Sequence, residues 1–174
     1  MTLCQLPVRL AHRVRRRSVR RRLAGARPRT ILVVCHANVC RSPFAAAVLR
    51  RALGAQGIVV ESAGLVGAHR APPEEAVAAA ARRGVDLAAH RPRVLEPEMV
   101  GRADLILVME PGQARALGGR FSRPPRDIVV LGDLDPEPIA ARAIRDPVRQ
   151  PAAAFEACYA RIERCVGELV RVLR

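Results

Sequence analysis

The sequence predicts an α/β fold of three layers, a four-stranded parallel sheet with helices on both faces. Three observations carry this expectation. Short apolar runs rich in Val and Ile recur along the chain, as in strands buried on both faces. Segments of helical periodicity alternate with them, the pattern of a parallel sheet. Helix start and stop signals punctuate those segments.

Residues 31–34 form the first run, Ile-Leu-Val-Val. Ser42-Pro43 opens a helix to about Leu53, with Ser42 as the cap and Pro43 at the first helical position. Gly54 and Gly57 close it. Residues 58–60 predict a second strand, followed by Ser62-Ala63-Gly64. Residues 72–83 open on Pro-Pro-Glu-Glu and continue in Ala, a helix with acids in its first turn. Residues 104–109 predict the third strand, 111–117 a short helix and 128–131 the fourth strand. A loop rich in Asp and Pro spans 132–151, and the last helix covers 152–173. Within that helix Phe155, Cys158, Ile162, Cys165, Leu169 and Val172 share one face. Cys158 and Cys165 are therefore read as core thiols.

The chain has 174 residues, half of them apolar, enough for one domain with a substantial core. Its aromatics are Phe44, Phe121, Phe155 and Tyr159 alone, so the core must be aliphatic. All 30 basic residues are Arg. Without Lys there is no Walker-type nucleotide loop and no Schiff-base chemistry. The net charge of +14 is unevenly placed: ten arginines and no acid lie in residues 1–29. The chain divides into a basic tail, 1–29, and a globular domain, 30–174. Self-repulsion predicts a disordered tail or a loose basic helix. Composition favours a solvated arm, or a start codon placed too far upstream, over contact with nucleic acid or an anionic membrane. An organelle transit peptide is the weakest reading.

The five cysteines, Cys4, Cys35, Cys40, Cys158 and Cys165, lack Cys-x-x-Cys spacing. The odd count argues against a secreted disulfide framework. No apolar run reaches membrane-spanning length. These features place the protein in a reducing compartment, the cytoplasm. His12, His69 and His90 lack metal-ligand spacing, so neither a metal nor another cofactor is expected.

The chemistry concentrates after the first strand, where parallel sheets hold their ligands. The segment reads Cys35-His36-Ala37-Asn38-Val39-Cys40-Arg41-Ser42. A helix starting there offers free N–H groups and partial positive charge to a phosphate-like dianion. Arg41 can clamp two oxygens of that anion with its planar fork. The same field favours a thiolate at Cys35, an activated nucleophile for a bound phosphoryl group. A leaving group needs a proton, so a carboxylic acid must face this loop. Two Asp-Pro pairs offer one, Asp135-Pro136 and Asp146-Pro147.

Cys-x5-Arg-Ser-Pro directly after the first strand resembles the low-molecular-weight protein tyrosine phosphatases. Three further segments are similar to that family: Val60-Glu61-Ser62-Ala63-Gly64, Arg83-Gly84-Val85-Asp86-Leu87 with His90-Arg91, and Ala103-Asp104-Leu105-Ile106-Leu107-Val108-Met109. The resemblance spans 30–174 and implies the flavodoxin-like fold of that family. It implies that Cys35 becomes phosphorylated, Arg41 binds the phosphoryl oxygens and Asp146, before the last helix, is the general acid. His36, Ala37, Asn38, Val39, Cys40 and Ser42 would form the substrate-binding loop. Asn38 would hold its shape, supported by Ser62, and Ser42 would hydrogen-bond the thiolate. His36 is expected to face outward. A reversible Cys35–Cys40 disulfide would protect the nucleophile.

The implied substrate is a phosphotyrosine protein. The family places aromatics after the acid's Asp-Pro, where this chain has Val148. Arg149-Gln150 is similar to relatives from bacterial exopolysaccharide systems, which implies a tyrosine kinase as partner. Phosphoarginine phosphatases and arsenate reductases share the fold. Val39 in place of their Thr argues against the former, and the lack of cysteines between Cys40 and Cys158 against the latter. A phosphate-binding module without turnover is the remaining alternative.

Overall fold

The computed structural model describes residues 6–67 and 71–174, so Cys4 and His69 lie outside the described residues. Four strands form one parallel sheet: β1 (Thr30–Cys35), β2 (Val59–Gly64), β3 (Leu105–Val108) and β4 (Ile128–Val130). The spatial order is β2-β1-β3-β4, so the connection direction reverses between β1 and β3. Such a reversal opens a crevice at the carboxyl ends of the strands. The loop after β1 emerges into it.

Alternation along β1 divides the core. Ile31, Val33 and Cys35 face one layer, with helices α1 (Leu6–Leu23), α2 (Arg41–Leu53), α3 (Glu74–Ala81) and α6 (Ala152–Leu173). Leu32 and Val34 face the other, covered by α4 (Pro97–Arg102) and α5 (Pro111–Phe121). With so few aromatics, aliphatic side chains fill both layers. Phe44 of α2 and Tyr159 of α6 provide the one stacked ring pair among the described residues, with centroids 4.0 Å apart and planes 8° from parallel. Phe155, Ile162, Cys165 and Leu169 are buried along the apolar face of α6, and Cys158 lies among them.

Three elements differ from the sequence expectation. The second strand extends past Val60 to Gly64, and two of the added residues, Glu61 and Ser62, are polar. Apolar patterning therefore misses them; Glu61 is held by Arg102 at 2.8 Å, and Ser62 belongs to the site. Helix α4 escapes prediction because six residues are too short to show a period, with only Met99 and Val100 buried.

The third difference is the largest. Charge repulsion predicts a disordered tail or a loose basic helix; residues 6–23 form a helix, α1, that is docked on the domain instead of loose. Val19 and Leu23 enter the core, and the buried His12 ring bonds the Asp135 carbonyl oxygen at 2.9 Å. The repulsion is offset by acids remote in sequence. Glu168, only 1% exposed, meets Arg16 at 2.7 Å and Arg20 at 3.2 Å, while Asp133 lies 3.5 Å from Arg15. Buried carboxylates are strongly destabilising without such partners. Truncating Leu23 to Ala should cost about 2–4 kcal/mol, measured by urea unfolding. A disordered tail would give no change.

Candidate active site

The turn after β1 is shaped by close backbone approach. Gly64 ends β2 opposite Cys35 in the sheet register. A Cβ at Gly64 would lie 2.6 Å from the Ala37 carbonyl carbon and 2.8 Å from the Asn38 nitrogen. Only glycine lets the loop at 35–41 lie against the neighbouring strand. Asn38 then takes a left-handed φ of 56°, which Asn tolerates better than most residues.

The Asn38 side chain is fully engaged. Its Nδ2 donates to Ser42 Oγ at 2.8 Å and to Ser62 Oγ at 3.0 Å, and its Oδ1 accepts the Arg93 N–H at 2.9 Å. The Asn38 carbonyl accepts from His90 Nε2–H at 2.8 Å. Burial lowers the His90 pKa, which keeps the ring neutral with one N–H to give. Groups from α2, from β2 and from the segment at 90–93 thus hold one short turn in shape.

Cys35 Sγ, buried at the foot of this turn, receives the Ser42 hydroxyl at 3.1 Å and the Asn38 backbone N–H at 3.3 Å. Donors aimed at a sulfur favour its negative form. Ser42 is not the cap of α2, contrary to the sequence expectation. The helix begins at Arg41, Cys40 is its N-cap, and no side chain caps it. The hydroxyl is committed to Cys35, and the terminal N–H groups keep their capacity for an anion.

Arg41 is buried, with its guanidinium spread between two carboxylates. Nη1 meets Glu110 Oε1 at 2.5 Å and the Ile144 carbonyl at 3.1 Å; Nη2 meets Asp146 Oδ2 at 2.5 Å. Burial alone would lower the Arg41 pKa. The negative charges of Cys35, Asp146 and Glu110 carry it upward instead. Glu110 N-caps α5 in a reciprocal capping box with Gln113. Sequence reading missed Glu110; an acid directly before Pro111 signals a helix cap but not a partner for Arg41.

The two Asp-Pro pairs part ways. Asp146 is partly exposed and points at Arg41, its Oδ1 accepting the Val148 N–H at 3.2 Å. Asp135 is fully buried, gripped by Arg161 at 3.0 Å and Arg164 at 3.2 Å. Arg161 also donates to the Ala143 and Ala141 carbonyls at 2.9 and 2.7 Å, which anchors the segment leading to Asp146.

Cys35, His36, Ala37, Val39, Cys40, Arg41, Asp146, Val148 and Arg149 line a recess of about 300 Å³. His36 is exposed at its rim. Val148 and Arg149 line it from the loop before α6, with Arg149 in a left-handed conformation, φ 65°. Burial, with Asp146 and Cys35 nearby, pushes the Cys40 thiol up to about 12. Burial likewise pushes Cys158 up to about 12. Among the described residues no cluster of three His, Cys, Asp or Glu side chains could hold a metal ion.

The profile of the low molecular weight phosphotyrosine protein phosphatase family matches residues 30–174. The chain is 38% identical over 146 residues to the probable low molecular weight protein-tyrosine-phosphatase EpsP of Ralstonia solanacearum, covering 84% of this chain and 97% of that one. Its fold is similar to the crystal structure of the Erwinia amylovora tyrosine phosphatase amsI, with TM-score 0.75, 32% identity and coverage of 84% and 94%. It is also similar to the YwlE arginine phosphatase of Geobacillus stearothermophilus, with TM-score 0.71, 28% identity and coverage of 83% and 92%.

Two outcomes follow from this geometry. Glu110→Gln keeps an oxygen for the helix cap but removes the charge beside Arg41. The turnover number should fall roughly tenfold, the scale of one charged hydrogen bond, and phosphate should inhibit more weakly. Steady-state kinetics with a phosphate titration reads both. At about pH 8, below the raised thiol pKa values, iodoacetamide should leave Cys40 and Cys158 unlabelled in the native protein and label them in urea. Peptide mass mapping distinguishes the two states.

Proposed function

The chain belongs to the low molecular weight phosphotyrosine protein phosphatase family, and from that membership we propose how its own residues divide the work of hydrolysis. The enzyme is a protein tyrosine phosphatase that hydrolyses phosphomonoesters through a phosphocysteine intermediate. The observation that carries the assignment is the convergence on Cys35 Sγ of the Ser42 hydroxyl and the Asn38 N–H, beside the buried Arg41.

In the proposed first step the phosphoryl group enters the recess and binds the free N–H groups of the loop and of the α2 terminus. Arg41 turns its fork to two equatorial oxygens, a bidentate contact worth more in the transition state than in solution. The oxygens replace Asp146 on Nη2, which frees that carboxyl to face the leaving group. Cys35 Sγ attacks phosphorus opposite the ester oxygen. Released from Arg41, the Asp146 carboxylate takes up a proton from solvent, and as the P–O bond breaks it gives that proton to the departing phenolic oxygen.

In the second step Asp146, now a carboxylate, takes a proton from water. The water oxygen attacks phosphorus and the S–P bond breaks. Ser42 and the Asn38 N–H receive the returning thiolate, so the sulfur leaves as a stabilised anion. Glu110 acts as a positioning residue, holding Nη1 while Nη2 exchanges partners. Ser62, His90 and the Arg93 N–H keep the turn from relaxing. This matters because a small misplacement of the reacting atoms costs orders of magnitude in rate.

The proposed substrate is a phosphotyrosine protein, with a bacterial tyrosine kinase of exopolysaccharide synthesis as the partner. Val148 supplies an aliphatic wall for the ring instead of an aromatic one. Residues 1–29 are proposed as an addition outside the catalytic domain, 30–174. Among the described residues no helix is long and apolar enough to cross a membrane.

Phosphate release from a phosphotyrosine peptide, with phosphoarginine as the competing substrate, tests the assignment. Wild type should turn over the phosphotyrosine peptide and Cys35→Ser should not. Asp146→Asn should lose about 10²–10⁴-fold in turnover, the range of acid–base catalysis. Asp135→Asn should retain most turnover and lose stability. Preference for phosphoarginine would reassign the substrate, and loss of turnover in Asp135→Asn alone would move the acid.

A further inference from the structure

The orientation of α1 is fixed by the face it buries. His12, Val19 and Leu23 point into the domain, so the opposite side of the helix must face solvent. Leu10, Val14, Arg17 and Arg21 follow one another there at spacings of four, three and four, a single stripe along the helix. Arg13 is exposed beside it.

Two properties of this stripe are unusual together. Leu10 and Val14 are 63% and 62% exposed, more than any other large aliphatic side chain among the described residues. Nothing in the fold uses them. Arg13, Arg17 and Arg21 meet no acidic group among the described residues, whereas Arg15, Arg16 and Arg20 on the inner flanks are neutralised by Asp133 and Glu168. The helix carries no acid of its own. At 18 residues it is about 27 Å long, ample to lie along a flat surface.

A partner for this face must be anionic and must also receive aliphatic side chains. The phosphates of a nucleic acid would satisfy the arginines but leave Leu10 and Val14 in water. The boundary between headgroups and acyl chains accommodates both, with guanidiniums at the phosphates and aliphatic groups below them. We propose that the outer face of α1 is a docking surface for an anionic lipid bilayer. Two inserted aliphatic residues and a few arginines give reversible, salt-sensitive attachment. The face lies opposite the core contacts of α1, and none of its side chains lines the recess at Cys35, so docking leaves catalysis on a soluble substrate untouched.

Cosedimentation of the full chain with vesicles tests this. Phosphatidylcholine vesicles containing one third phosphatidylglycerol should retain the protein at about 0.1 M salt, and pure phosphatidylcholine should not. Adding salt to about 0.5 M should release it. The triple variant Arg13→Gln, Arg17→Gln, Arg21→Gln should bind roughly a hundredfold more weakly. The double variant Leu10→Ser, Val14→Ser keeps every charge and should still lose several-fold. All five side chains are exposed, so these variants should match wild type in phosphate release from a peptide, which verifies folding. Failure of anionic vesicles to retain the wild type overturns the proposal. So does triple-variant binding equal to wild type, or double-variant binding equal to wild type. Retention on duplex DNA with no retention on vesicles assigns the face to nucleic acid instead.

Discussion

A guanidinium held almost out of water organises this structure. Arg41 is the largest of the fully buried side chains. A charge in that position demands negative partners at short range, or it destabilises the fold. Cys35, Glu110 and Asp146 supply them, and the Ile144 carbonyl takes a further N–H. Those partners arrive from the ends of β1 and β3 and from the long loop before α6. The same need for anions that stabilises the resting arrangement makes the site ready for a phosphoryl group. In the proposed reaction, substrate exchanges one anion for another without exposing the guanidinium.

Exchange of that kind works only if the surroundings stay still. The turn at 35–41 is fixed by the Asn38 network from one side and by the close approach of Gly64 from the other. The loop at 132–151 is fixed differently, by arginines of α6 reaching its carbonyls and by the buried Asp135. Helix α1 contributes to that second anchor, since His12 bonds the Asp135 carbonyl. The basic segment ahead of the catalytic domain is therefore joined to the loop that carries Asp146. Its inner face serves the fold, and its outer face is left with charge and aliphatic groups that the fold does not use.

The recess itself is plain in chemistry. Cys35 and Arg41 line it together with Val148, Arg149 and His36. An aliphatic wall offers a phenolic ring contact area but no stacking, so orientation depends more heavily on the phosphoryl end. Arg149 adds a positive charge at the rim, where the residues flanking a phosphorylated side chain would pass.

Local chemistry was legible in the sequence. Apolar runs such as 31–34 and the period of α6 specify strand and helix because their burial requires it, and alternation of the two implies a parallel sheet. Cys35, Arg41 and Ser42-Pro43 follow closely along the chain, so one turn relates them and spacing alone suggests their chemistry. Tertiary structure decided whatever depends on partners far along the chain. Ser42 looks like a helix cap until Cys35 Sγ is found beneath it. Asp135 and Asp146 are equivalent Asp-Pro pairs until α6 encloses one and Arg41 faces the other. Glu110 has no local mark of its pairing with Arg41, 69 residues away. Residues 6–23 repel one another as an isolated segment, and that repulsion is offset by Asp133 and Glu168, which stand where the helix lands. Periodicity records what each segment buries; which charges meet depends on where the sheet and helices bring distant segments together.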